Sequence, residues 1–145
     1  MFSLTITEPR PNDLAWGRVT VCDFSERFEA DLSYWSPDQY RQHWTEAVRL
    51  VVADEGPVAF VTSMRDPETA NFIVWWPAWR DGDRVFVQNQ LLFLDQLAEP
   101  FDEADPFRGL GSFGREGEDG DRISTWETTV REVEAFGGAL ARGAL

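Results

Sequence analysis

Few side chains in this sequence are equipped for catalysis, and many carry negative charge. The chain has a single His (His43), a single Cys (Cys22) and 26 acidic residues. One imidazole excludes every catalytic or metal arrangement that needs two. One thiol excludes an internal disulfide and a Cys-rich zinc site. His43 falls at the edge of a helical apolar stripe and reads as a boundary side chain with one ring nitrogen hydrogen-bonded. Cys22 alternates with Val21 in a strand pattern and reads as a packed or half-buried thiol. Its thiolate is disfavoured in so acidic a chain. The runs Asp102-Glu103-x-Asp105 and Glu116-x-Glu118-Asp119-x-Asp121 resemble calcium loops, but the second begins with Glu and carries its Gly at 120, not at the sixth position. Gly109-x-Gly111-x-x-Gly114 matches a dinucleotide fingerprint by letters, yet no strand precedes it and no helix pattern follows. No catalytic residue, metal or cofactor is therefore expected, and the chain reads as a binding protein.

Charge and length narrow the partner. The 145 residues suit one domain spanning 1–145, and 43% of them are apolar. Thirteen basic residues, all Arg, leave a net charge of −13. Such a surface repels phosphate backbones and anionic lipid, so neither nucleic acid nor membrane is expected as partner, and a basic protein is favoured. Met1–Thr5 lacks the features of a signal peptide, and the longest apolar-aromatic run, Phe72–Trp79, is too short to cross a bilayer. A cytoplasmic location is expected.

Periodicity supplies the elements that must position any site. Leu4 and Ile6, then Trp16–Phe24, then Phe28–Tyr34 alternate as strands, with a turn expected at Asp23–Glu26. Ser36, Pro37 and Gln39 form a helix start with a capping box, and Tyr40, Trp44, Ala47, Val48 and Val51 share one face up to Gly56-Pro57. Val58–Met64, Asn71–Arg80 and Asp83–Phe93 read as an antiparallel meander with a turn at Asp81-Gly82. Arg122–Glu127 is a candidate last strand. Thr129–Glu132 opens a C-terminal helix that Gly137-Gly138 weaken. The expected fold is α+β: an antiparallel twisted sheet of about five to seven strands with two helices, near 37–53 and 129–141, packed on it.

Two features suit a protein interface. Trp75 and Trp76 are adjacent on a strand and so point to opposite faces. One enters the core; the other, or Trp79, needs cover and is a candidate partner anchor. The stretch Glu99–Asp121 carries eight acids against Arg108 and Arg115, yet Phe101, Phe107, Leu110 and Phe113 recur through it. It reads as an acidic surface segment pinned by Phe side chains, with Glu116–Asp121 as an exposed loop.

The arrangement resembles the immunity proteins of bacterial contact-dependent growth inhibition and related polymorphic toxin systems. The likeness rests on Tyr40-Arg41-Gln42-x-Trp44, Val61-Thr62-Ser63-Met64, Trp75-Trp76 with Val87-Gln88-Asn89-Gln90, and Ile123-Ser124-x-Trp126. It spans roughly residues 15 to 136. The resemblance implies a non-enzymatic, cytoplasmic inhibitor, a monomer or weak homodimer, that binds one cognate toxin domain. It further implies a basic nuclease as the toxin, which a −13 chain would attract and occlude. The residues expected to contact it are Asp102, Glu103, Asp105, Phe107, Glu116, Glu118 and Asp119, with Trp75, Trp76 and Trp79. The alternative is a ligand-binding or enzymatic domain with a pocket lined by Trp and acids.

Overall fold

The computed structural model describes residues 1–117 and 119–143. In chain order it contains β1 (Phe2–Ile6), β2 (Leu14–Val21), β3 (Phe24–Asp31), α1 (Pro37–Ala53), β4 (Val58–Ser63), β5 (Phe72–Asp81), β6 (Arg84–Gln88), β7 (Gln90–Phe93), a 3-10 turn at Leu94–Gln96, β8 (Thr125–Thr129) and α2 (Val130–Ala141). The α+β class is as expected. The strands divide into two antiparallel sheets, one in the order β1-β2-β3 and one in the order β4-β5-β6-β8 with β7 also on β5. None of the helices among the described residues is long and apolar enough to cross a membrane.

The two sheets meet through their apolar faces. Phe2, Leu4, Ile6, Val19 and Val21 are buried on one face of the first sheet, which packs onto the second. Phe2 meets Phe60 at 5.1 Å and Phe136 of α2 at 5.4 Å. At the other end of the junction, Phe24 stacks on Trp126 at 4.2 Å and lies 6.3 Å from Trp76. Burying each such ring is worth about 1.5–3 kcal/mol, so the junction is a single core and not a loose contact.

Three local details differ from the expectations. The first hairpin turns at Cys22-Asp23, because Val21 pairs with Phe24. Cys22 is thereby exposed at a φ of 54°, with its Sγ 2.9 Å from the Glu127 carbonyl, and is not a packed strand residue. The second hairpin turns at Gly82-Asp83, with Asp81 paired to Arg84 and Gly82 at a φ of 62°. The last strand begins at Thr125, three residues later than its pattern suggests.

The helix ends follow their caps. Ser36 and Gln39 exchange both capping-box bonds at the start of α1. At α2, Thr129 accepts from the Glu132 amide, while the Glu132 carboxylate takes the Thr128 hydroxyl at 2.6 Å instead of closing a box. The Gly137-Gly138 pair does not end α2. A Cβ on Gly137 would stand 2.7 Å from Val48 Cγ1, so this glycine makes room for the close approach of the two helices.

A proline interrupts the larger sheet. β6 and β7 keep a single register against β5, from Asp81↔Arg84 to Phe72↔Phe93. That register sets Pro77 opposite Gln88. Pro77 has no N–H to donate, so the ladder breaks there and one long strand becomes two.

Candidate functional site

Helix α1 lies along the outer edge of β4, where the Ala59 and Val61 main-chain groups point away from β5. Three side chains of α1 satisfy that edge. Trp44 Nε1 donates to the Val61 carbonyl at 2.8 Å. The Tyr40 hydroxyl donates to the Asp31 carbonyl at 2.6 Å and accepts from the Met64 amide at 2.8 Å, tying β3 to the chain just beyond β4. His43 Nε2 lies 2.9 Å from the Val61 amide and 3.0 Å from the Ala59 carbonyl, so a neutral ring serves one of the two in either tautomer. Burial pushes His43 down to about 4, outweighing the upward pull of the Ala59 carbonyl. Burial also raises the Tyr40 hydroxyl well above its ordinary value. These groups hold the fold together and are not arranged for chemistry.

The acidic segment is anchored beside this seam. Phe107 is 9% exposed and meets the His43 ring at 5.7 Å. Glu103 accepts from the Tyr34 hydroxyl at 2.5 Å and from Trp35 Nε1 at 3.2 Å. The first of these bonds pushes Tyr34 up to about 12. Farther along, Trp79 Nε1 donates to the Gly111 carbonyl at 2.9 Å and Gln88 Nε2 to the Gly114 carbonyl at 2.8 Å. Phe113 stacks on Phe86 at 4.9 Å. Gly111 and Gly114 of the dinucleotide-like motif therefore present carbonyls to the body of the protein, and their loop is not a phosphate cradle.

Anchored in this way, residues 102–106 form a ridge with an open cleft on each side. The first cleft, ≈ 460 Å³, lies between the ridge and α1 and includes Gln42, Glu46, Glu103 and Asp105. The second, ≈ 450 Å³, includes Trp75, Leu92, Leu97, Phe101, Glu99 and Asp102. Arg108 sits 3.1 Å from Glu99 and 3.9 Å from Asp102, and is the ridge's own countercharge. Asp102 also caps its own turn, accepting from the Ala104 amide at 2.9 Å.

The expected contact residues separate into two groups. Glu103, Asp105, Glu116 and Asp119 are exposed, and Asp102 is half-buried. Glu118 lies outside the described residues. Glu116 and Asp119 sit on a separate small loop closed by Gly117 donating to the Asp121 carbonyl at 2.8 Å. The aromatic anchors need correction. Trp75 is 3% and Trp76 2% exposed. Trp76 is covered by Phe24 and Trp126 of the sheet junction, and Trp75 faces the side of the sheet roofed by the acidic segment. Trp79 is half-buried under Phe113, and Phe107 is buried. Cover from distant parts of the same chain takes up all four. The large apolar side chains left outside on a strand are instead Leu91 and Phe93, 48% and 41% exposed. The sequence offered only the short alternation Gln90-Leu91-Leu92-Phe93, which does not say which face is covered.

Comparison with known proteins fits this architecture. The family model of the CdiI N-terminal domain matches residues 30–136. The immunity protein CdiI of Enterobacter cloacae subsp. cloacae is 28% identical over 118 residues, covering 81% of each chain. A solved CdiA-CT/CdiI toxin and immunity complex from Enterobacter cloacae contains a chain that superposes with a TM-score of 0.88 at 26% identity, over 98% of this chain and 99% of the other. The chain belongs to the CdiI N-terminal domain family, the immunity proteins of contact-dependent growth inhibition.

Proposed function

We propose that this chain is a cytoplasmic, non-enzymatic immunity protein that binds and neutralises one cognate toxin domain, a basic domain of the nuclease type. The acidic ridge, with the Glu116–Asp121 loop, steers the toxin and covers its cationic groove. The observation that carries this reading is the division of labour within the acidic segment. Its Phe side chains and main-chain carbonyls face inward, while Glu103, Asp105, Glu116 and Asp119 stay exposed. A segment already ordered with its charge outward focuses field and adds little ordering cost on binding. The relative's complex with a CdiA-CT toxin supports a protein partner of this kind.

The test is to neutralise Asp102, Glu103, Asp105 and Asp119 together as Asn and Gln, and to follow association with the co-purified toxin domain by stopped flow. At low salt, association should slow by about ten- to a hundredfold, with a flatter salt dependence. Unchanged association would remove the ridge from the interface. One observation favours a second reading: the cleft floored by Trp75 and edged by Glu99 and Asp102 is the Trp-and-acid pocket a small ligand would use. A saturable Trp fluorescence response to a metabolite or divalent ion would support it.

A further inference from the structure

The sheet has an edge that the chain itself leaves unused. The Leu94 amide donates to the Asn71 carbonyl at 2.9 Å, which makes Ile73/Leu92 and Trp75/Gln90 the other bonded pairs of the β5–β7 ladder. The N–H and C=O groups of Leu91 and Phe93 therefore point away from β5. β8 does not reach them, because its pairing with β6 ends at Gln88↔Thr125. Among the described residues β7 pairs with β5 alone. The side chains of the same two residues are the exposed ones, beside half-buried Phe72 and Val74 on one face of the sheet. Unpaired main chain and uncovered apolar side chains coincide here, on a strand with no charge of its own to blunt it.

We infer that the β7 edge is a docking site for an extended strand of the toxin partner, which adds to the sheet antiparallel or parallel to Gln90–Phe93. The inference rests on the immunity reading and deepens it by assigning a second contact surface. The open main-chain groups demand a strand and not a helix. Charge selects the source of that strand. Asp95 follows two residues after the edge, and the cleft beneath Leu92 is lined by Glu99, Asp102 and Asp105 against the single Arg108, which leaves it negative. A second copy of this chain would bring another net charge of −13 against its own. A basic strand is favoured instead. Its residues opposite Leu91 and Phe93 would be apolar. The intervening residue would turn toward the Leu92 cleft, where Lys or Arg meets the acids.

The test uses the whole chain with the toxin domain recovered by affinity co-purification. Amide hydrogen exchange is read at Leu91 and Phe93, free and bound. Binding should slow exchange at both by about tenfold or more. Leu91→Pro removes an outward N–H and no bond to β5, whereas Leu91→Thr keeps it. The Pro variant should weaken binding about tenfold beyond the Thr variant, with the melting curve confirming that both are folded. If Leu91→Pro does not fold, the exchange result decides. Toxin binding with unchanged exchange at Leu91 and Phe93 overturns the inference and leaves the immunity reading standing. Protection that rises with chain concentration in the absence of toxin makes a second copy the occupant and also overturns it. No toxin binding at all removes the immunity reading, and this inference with it.

Discussion

Two edges of the larger sheet, β4 and the β7 end beyond the reach of β8, finish in opposite ways. At β4, side chains from α1 meet the outward main-chain groups: Trp44 takes the Val61 carbonyl, His43 stands between Ala59 and Val61, and Tyr40 bridges Asp31 to Met64. At β7, Leu91 and Phe93 present both main chain and side chain to solvent. Both edges have the same backbone chemistry. They differ in what the chain brings up beside them. An edge closed from within contributes to stability and to nothing else, whereas an edge left open contributes little to stability and is available to another molecule. Substitutions at β4 should therefore damage folding, and substitutions at β7 should not.

The largest effect is expected from Tyr40→Phe, which leaves the Asp31 carbonyl and the Met64 amide without their shared partner. One buried and one part-buried main-chain group left unsatisfied should cost about 3 kcal/mol in urea unfolding. A loss under about 1 kcal/mol would mean that the β3–β4 tie is made by packing and not by the hydroxyl. The next effect is a pH dependence. His43 titrates at about 4 in the fold, against an ordinary value of 6.5. Between those values the unfolded chain binds the extra proton, so stability rises with pH across this window and falls as the solution is acidified. Moving from pH 7 to pH 5 should remove about 2 kcal/mol through this group, and His43→Gln should flatten that slope. A wild-type slope retained in the variant would assign the effect to the carboxylates. The smallest effect is expected at the open edge. Leu91→Thr should leave the free chain's unfolding within about 0.5 kcal/mol of wild type. A larger loss would show that β7 is packed in solution and would erase the contrast between the edges.

Much of the frame was legible from the residues. The helix Pro37–Ala53 was readable from Ser36, Pro37, Gln39 and the Tyr40–Val51 stripe, because a cap and a period are local properties. The acidic segment was readable as pinned, since Phe residues recurring through a charged run imply burial. The Trp75-Trp76 pair was not readable in the same way. A strand pattern shows that adjacent side chains face opposite sides, but not that each side has a roof. Phe24 and Trp126 cover one, and residues drawn from 97–109 the other. Gly137-Gly138 looked like a weakness because propensity counts the cost of glycine in a helix. The gain, a close approach to Val48, belongs to another element.

By itself the sequence determined the charge of −13, the α+β class, the start and stop of α1, and the scarcity of catalytic side chains. These follow from composition and from interactions between near neighbours in the chain. Only the tertiary structure decided which Trp residues are internal, that Cys22 sits on a turn, that the strands form two sheets, and which sheet edge stays open. All but the Cys22 turn, which the local Val21–Phe24 pairing sets, depend on segments dozens of residues apart being brought together. The free energy of burial is settled by which surfaces meet, and not by the residues that carry them.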